Sequence, residues 1–172
     1  MITGEEYVMR EQGISSNTSR RGFSLIELVI VVVIIGVLAA IAIPRLSRGA
    51  AGASESALSG NLKTLRTALD LYASEHGGAY PTTANIVAAL TTYTDDTGAT
   101  SATKTGNYIY GPYLRAIPTL PVGAKKGQTG IDVVANASTA TIGWIYDPTT
   151  GTIRANTIST EVDAKGNQYS TY

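Results

Sequence analysis

The chain has 172 residues, with 13 basic and 13 acidic side chains and a formal net charge of zero. That balance leaves no electrostatic footprint for nucleic acid, and no nucleic-acid partner is expected. There is no cysteine and a single histidine, His76, which excludes disulfides, thiolate catalysis, cysteine metal sites and multi-histidine centres.

The length suggests one domain plus an apolar run near the start. Arg20-Arg21-Gly22 leads into Phe23-Ser24-Leu25-Ile26-Glu27, and from Leu28 to Ile43 there is no charged residue. At about 1.5 Å per residue, Phe23 to Ile43 spans roughly 30 Å as a helix, the thickness of a bilayer core. Backbone groups in lipid must pair internally, so a helix is required. Arg20 and Arg21 precede the run, so the positive-inside rule keeps the N-terminus cytoplasmic. Arg45 and Arg48 count weakly the other way, but the large polar part of the chain follows them.

Three ordinary readings compete for this run. Ala40-Ile41-Ala42 fits the cleavage site of a secretory signal peptide, but the run is long for one and Glu27 lies inside it. Arg20-Arg21-Gly22-Phe23-Ser24-Leu25 is similar to a twin-arginine export signal, though the run is too hydrophobic for that. A plain membrane anchor explains the length and leaves the carboxylate unexplained. An acidic group near mid-helix costs about 2.5 to 3.5 kcal/mol on insertion scales.

Gly22-Phe23-Ser24-Leu25-Ile26-Glu27 resembles the processing site of type IV pilins and type II secretion pseudopilins. In that family an inner-membrane prepilin peptidase cuts after the glycine and methylates the new amine. The resemblance implies a leader over 1–22, cleavage between Gly22 and Phe23, a transmembrane and fibre-core helix over 23–44, and a periplasmic pilin-like domain over 45–172. Pro44 sits where many members have a helix-bending proline. A new amine at Phe23 would be a buried cation in need of an anion. Glu27 lies one turn away and could pair with the Phe23 amine of a neighbouring subunit, setting register during assembly. Gly36, Ala39 and Ala40 would allow close helix approach.

Beyond Pro44 the helical pattern resumes. Leu58, Leu62, Leu65, Leu69 and Tyr72 form one apolar stripe, with Lys63, Arg66, Asp70 and Glu75 off it. Gly77-Gly78 ends the helix. Phe23 to Glu75 would be roughly 80 Å long if continuous, with a kink or loosened turn expected between Pro44 and Gly60. The stripe is expected to pack on a small antiparallel sheet, so the fold class is α+β.

Residues 83–90 read as a short helix with polar caps, and 94–107 as a mobile surface loop. Residues 139–146 alternate as a strand, Asp147-Pro148-Thr149-Thr150-Gly151 is a turn, and Thr152 to Ala155 returns as the second arm of a hairpin. The tail from Thr157 is polar, with Tyr169 and Tyr172 near its end.

Tyr80-Pro81-Thr82, Gly111-Pro112-Tyr113-Leu114 and Ile117-Pro118 are similar to the major pseudopilin of type II secretion systems. Where that subfamily has Asp-Pro-Trp-Gly, Leu120-Pro121-Val122-Gly123 keeps only Pro and Gly. The subfamily also tends to carry an acidic calcium loop near its end. Here Glu161, Asp163 and Asn167 could supply oxygen ligands to Ca²⁺, but a solvated turn is the simpler reading, and no cofactor is expected.

No catalytic constellation stands out. His76 beside Glu75 reads as a surface residue at a helix end. Asp95-Asp96 reads as solvated, and Lys125-Lys126-Gly127 lacks the pattern of a phosphate cradle. Tyr108, Tyr110, Tyr113, Trp144 and Tyr146 could stack on sugars or bases, but packing a thin sheet onto a helix is the simpler use. The resemblance therefore implies a non-enzymatic pseudopilus subunit, whose partners would be further copies, other pseudopilins, prepilin peptidase and the inner-membrane assembly platform. Its location would be the inner membrane, single-pass with the C-terminal domain periplasmic, then a periplasmic fibre. A type IV pilin or minor pilin for adhesion, motility or DNA uptake is the alternative. A signal-anchored periplasmic binding or enzymatic domain is the reading from another class.

Overall fold

A computed structural model describes residues 22–172. Residues 1–21, including Arg20 and Arg21, lie outside the described residues. The chain divides into two compact units, Met1–Ala42 and Ile43–Tyr172.

The described part of the first unit is apolar helix, the beginning of α1 (Leu25–Glu75). Its large side chains are all exposed, from Leu25 through Ile41. This is a helix long and apolar enough to cross a membrane. Among the described residues nothing in this unit buries the valines and isoleucines, so their hydrophobicity is directed outward.

The second unit holds the core. Leu58, Leu62, Leu65, Ala68, Leu69 and Tyr72 of α1 are buried, and Lys63, Arg66, Asp70 and Glu75 are exposed, as the 3.6-residue period requires. Burying a leucine fully contributes about 1.5 to 3 kcal/mol, so the stripe outweighs the polar contacts around it. α1 stays helical through Gly49, Gly52 and Gly60, without the loosened turn expected there. Ser56 and Thr64 donate their hydroxyls to the carbonyls of Gly52 and Gly60 within the helix. The helix stops as a Schellman turn: Gly77 and Gly78 have φ of 64° and 88°, and the Gly78 N–H bonds the Ala73 carbonyl at 2.7 Å.

A short helix α2 (Ile86–Thr91) follows, beginning later than its polar leader suggests. Asn85 occupies the cap position but sends its side-chain N–H to the Gly98 carbonyl instead of capping the helix. Strands β1 (Tyr93–Thr94) and β2 (Thr100–Ser101) pair antiparallel. The 94–107 segment is therefore only partly loop, and Thr94 is fully buried. The correction has a local cause: the Asp95 carboxylate accepts the backbone N–H of Thr97 and Ala99 and folds the turn between the strands.

The second sheet has order β3-β4-β5, with β3 Gly130–Asp132, β4 Ile142–Asp147 and β5 Thr152–Ala155. β4 and β5 form the expected hairpin, antiparallel in the register Trp144–Ala155 and Tyr146–Ile153. β3 joins β4 in parallel, so this sheet is mixed where an antiparallel one was expected. A turn of 3-10 helix at Val134–Asn136 carries the chain between them. Trp144, Tyr146, Ile153 and Ala155 share one core with the α1 stripe and α2. The result is a long helix packed through its second half on small sheets, the α+β arrangement expected.

Trp144 Nε1 donates to the Pro118 carbonyl and Tyr146 Oη to the Pro81 carbonyl, both fully buried side chains. These aromatics pack the core and are not stacking platforms. Burial raises the Tyr146 hydroxyl well above the usual tyrosine range, with the charges of neighbouring groups adding to it.

Candidate processing and assembly site

The site predicted from the sequence is the start of α1. Gly22 and Phe23 precede the helix, and Phe23 is 84% exposed. Ser24 is the helix N-cap, its carbonyl accepting the Leu28 N–H at 3.2 Å. Glu27 stands three residues on, and its Oε2 accepts the Ser24 backbone N–H at 2.9 Å.

That bond is half of a capping box, in which an acidic residue at the third helical position reaches back to the N-cap amide. It also places a negative charge in the first turn, where the helix dipole favours it. Glu27 therefore has a local partner in the uncut chain. Phe23, Glu27, Leu28 and Val31 line an open hollow of about 240 Å³ at this end. The carboxylate thus borders an apolar surface that neighbouring side chains leave uncovered. The sequence reading treated Glu27 as unpaired until cleavage; the pattern Ser-x-x-Glu ahead of an apolar run was the signal for the cap.

His76 is buried, contrary to its reading as a surface residue. Its ring stacks on Tyr72 at 3.8 Å between centroids. Nδ1 lies 2.8 Å from the Tyr72 carbonyl and Nε2 2.8 Å from the Asp95 carbonyl. Both ring nitrogens are thus engaged by backbone carbonyls, one from α1 and one from the turn after β1. The ring pins the β1–β2 turn to the end of α1. No substrate-shaped arrangement surrounds it, so it joins structure to structure.

The polar tail is docked, not loose. Tyr169 and Tyr172 pack against the core. Glu55 accepts the Ala164 N–H at 3.0 Å, and Arg66 donates to the carbonyls of Ile153 and Tyr172. The structure brings Asp163 and Asn167 together but turns Glu161 to the backbone N–H groups of Ala124 and Ile158. Asp163 Oδ1 accepts the N–H of Lys165 and Asn167, while Oδ2 accepts Asn167 Nδ2 and the Tyr172 hydroxyl. These donors hold the Asp163 carboxyl far below its ordinary range, chiefly through the Asn167 side chain. Both oxygens a calcium ion would need already face protons, so the residues present do not fit that ion. Among the described residues no group of three or more His, Asp or Glu side chains could hold a metal.

These features define a class before any comparison: a chain whose apolar helix opens on a capped carboxylate and continues into a folded α+β unit. A family described as the prokaryotic N-terminal methylation motif matches residues 17–43. The match covers Gly22, Phe23, Glu27 and the apolar run, and gives the chain the type IV pilin-like N-terminal motif of cleavage and methylation. No curated protein and no solved structure matched the chain.

Proposed function

We propose that this chain is a structural subunit of a type II secretion pseudopilus. Prepilin peptidase cuts between Gly22 and Phe23 and methylates the new amine. The helix then holds the subunit in the inner membrane, with the folded unit in the periplasm, until an assembly platform draws it into a fibre with further copies and other pseudopilins. The observation that supports this most is the methylation motif lying over a helix whose apolar side chains are exposed among the described residues.

Cleavage changes what Glu27 can do. In the uncut chain its carboxylate accepts one neutral N–H. After the cut, a cationic amine exists at Phe23, and it adds to the hydrogen bond a full charge–charge attraction that a neutral N–H donor lacks. In the packed helices of a fibre, Glu27 pairs with the amine of the neighbouring subunit. An unpaired charge in that place is strongly unfavourable, so the pair selects register more than it adds stability.

Mass spectrometry of the mature N-terminus tests the reading. A chain beginning at N-methylated Phe23 is expected. A start at Ile43 means an ordinary signal peptide, and an intact Met1 means a plain anchor; either result sinks the proposal. Replacing Gly22 with a bulky residue is expected to leave the precursor uncut.

A pilin or minor pilin for adhesion, motility or DNA uptake is the second reading. Asp163 favours it, since its closed loop departs from the calcium loop associated with major pseudopilins. Recovery of the protein in long surface filaments decides for it.

A further inference from the structure

The outer face of the β3-β4-β5 sheet carries a cleft that the fibre reading does not use. Period-two alternation puts Trp144 and Tyr146 on the core side, so Ile145 and its cross-strand partner Arg154 face the other way. Loops from 124–125, 137–138 and 156–161 close over that face and bury Ile145. Between them lies a cavity of about 380 Å³. That is within the size range of small-ligand pockets.

Its polar groups are unequal. Glu161 lines it, but the carboxylate is held by two backbone N–H groups. The Lys125 ammonium donates to the Ala137 carbonyl. The Arg154 guanidinium has no acceptor among the described residues. Thr157 also lines the cleft, and its hydroxyl oxygen is buried without a hydrogen-bond partner among the described residues. A buried hydroxyl without a partner is destabilising unless a ligand or water completes it.

We propose that this cleft binds a small aliphatic carboxylate, the chemistry presented by the free end of a peptide chain with an apolar last residue. The Arg154 fork takes the carboxylate in two parallel bonds, and Thr157 donates a third. Ile145 and Ile158 pack the aliphatic body. Inorganic phosphate brings no aliphatic body to cover these two side chains, so the carboxylic acid is the better fit.

The test is a titration of the full chain in detergent micelles, followed by backbone amide NMR shifts. N-acetyl-leucine is the probe, with N-acetyl-leucinamide and inorganic phosphate as the other arms. Saturable shifts at Ser138, Arg154 and Thr157 are expected with the acid alone. The Kd should be on the order of a few mM, as suits a ligand of about a dozen heavy atoms. Arg154→Gln is expected to weaken binding about tenfold or more, and Thr157→Val by several-fold. Arg154 is half-exposed and tied to no protein acceptor, so its loss leaves the fold intact, checked by unchanged amide dispersion. Equal shifts with the amide, tighter binding of phosphate, or unaltered binding by Arg154→Gln each overturn the proposal. These outcomes are independent of where the N-terminus is cut.

Discussion

The two units of the chain treat hydrophobic side chains in opposite ways. Between Leu25 and Ile41 every large apolar side chain is exposed; between Leu58 and Tyr72 of the same helix a stripe of them is buried. The helical backbone is common to both. What differs is pattern: the first stretch is apolar on all sides, and the second on one face only. An all-round apolar helix requires a partner all round, which lipid or a bundle of like helices supplies. A one-sided helix is satisfied by a single sheet. Stability of the folded unit and assembly of the chain are thus written in different residues, and mutations should separate them.

The largest separation is expected at Glu27. Glu27→Val should leave membrane insertion, cleavage and the unfolding transition of the second unit unchanged, and abolish fibres. Glu27→Gln sharpens the point, because an amide oxygen still accepts the Ser24 N–H but carries no charge. If pairing with a cationic amine matters, both variants lose filaments by electron microscopy. Normal filaments from the glutamine variant would mean the helix cap, not the charge, is what assembly needs.

The converse change is Trp144→Ala. It removes a fully buried ring and its bond to the Pro118 carbonyl. A loss of about 3 to 5 kcal/mol is expected, enough to unfold a marginal unit. Urea unfolding followed by circular dichroism measures it. Cleavage at Gly22 should proceed as before, since the peptidase reads the other end. Coupled loss of both would break the comparison.

A smaller effect is expected at Gly151. It closes the β4–β5 hairpin with φ of 71°, and an added Cβ would run into the Tyr80 ring. Gly151→Ala therefore combines a left-handed backbone with a clash, and should lower stability by roughly 1 to 3 kcal/mol. A shift in the urea midpoint with unchanged slope is the expected result.

The apolar run, the leucine stripe and the β4–β5 hairpin follow from periodicities of 3.6 and 2 and from the Asp-Pro-Thr-Thr-Gly turn. β3 does not, because Gly-Ile-Asp is too short to show alternation and its partner is set by tertiary pairing. Nor does the burial of His76, which depends on the Asp95 carbonyl returning from a turn 19 residues on. The tail reads as polar, and polarity alone does not show what docks it. It is held because Glu55 and Arg66, exposed on a helix by every local rule, meet the backbone of a distant segment. At the start of α1 the Ser24–Glu27 cap follows from a Ser-x-x-Glu pattern written ahead of the apolar run.

The tail also offers the finest test of the comparison, through pH. The Tyr172 hydroxyl donates to Asp163 Oδ2 at 2.8 Å. That bond raises the Tyr172 hydroxyl to about 12, with loss of hydration and the Asp163 charge adding to it. A raised value means the folded form keeps the proton, so the contribution is complete below the unfolded value of about 10 and is lost as pH rises from there towards 12. Asp163 moves the other way. Its carboxyl is lowered, so its contribution is complete above about 4 and is lost as pH falls below that. The bond should therefore contribute in full from about pH 5 to 9 and lose that contribution progressively beyond both ends, for opposite reasons. Hydrogen exchange at Lys165 and Asn167, whose amides bond Asp163, is expected to quicken in acid beyond the intrinsic rate, while Leu65 stays protected. Asp163→Asn should remove the acid limb, and Tyr172→Phe the alkaline one. If either variant left its own limb in place, the tail would be held by Glu55 and Arg66 alone, and the Asp163 loop would be a passenger on that contact.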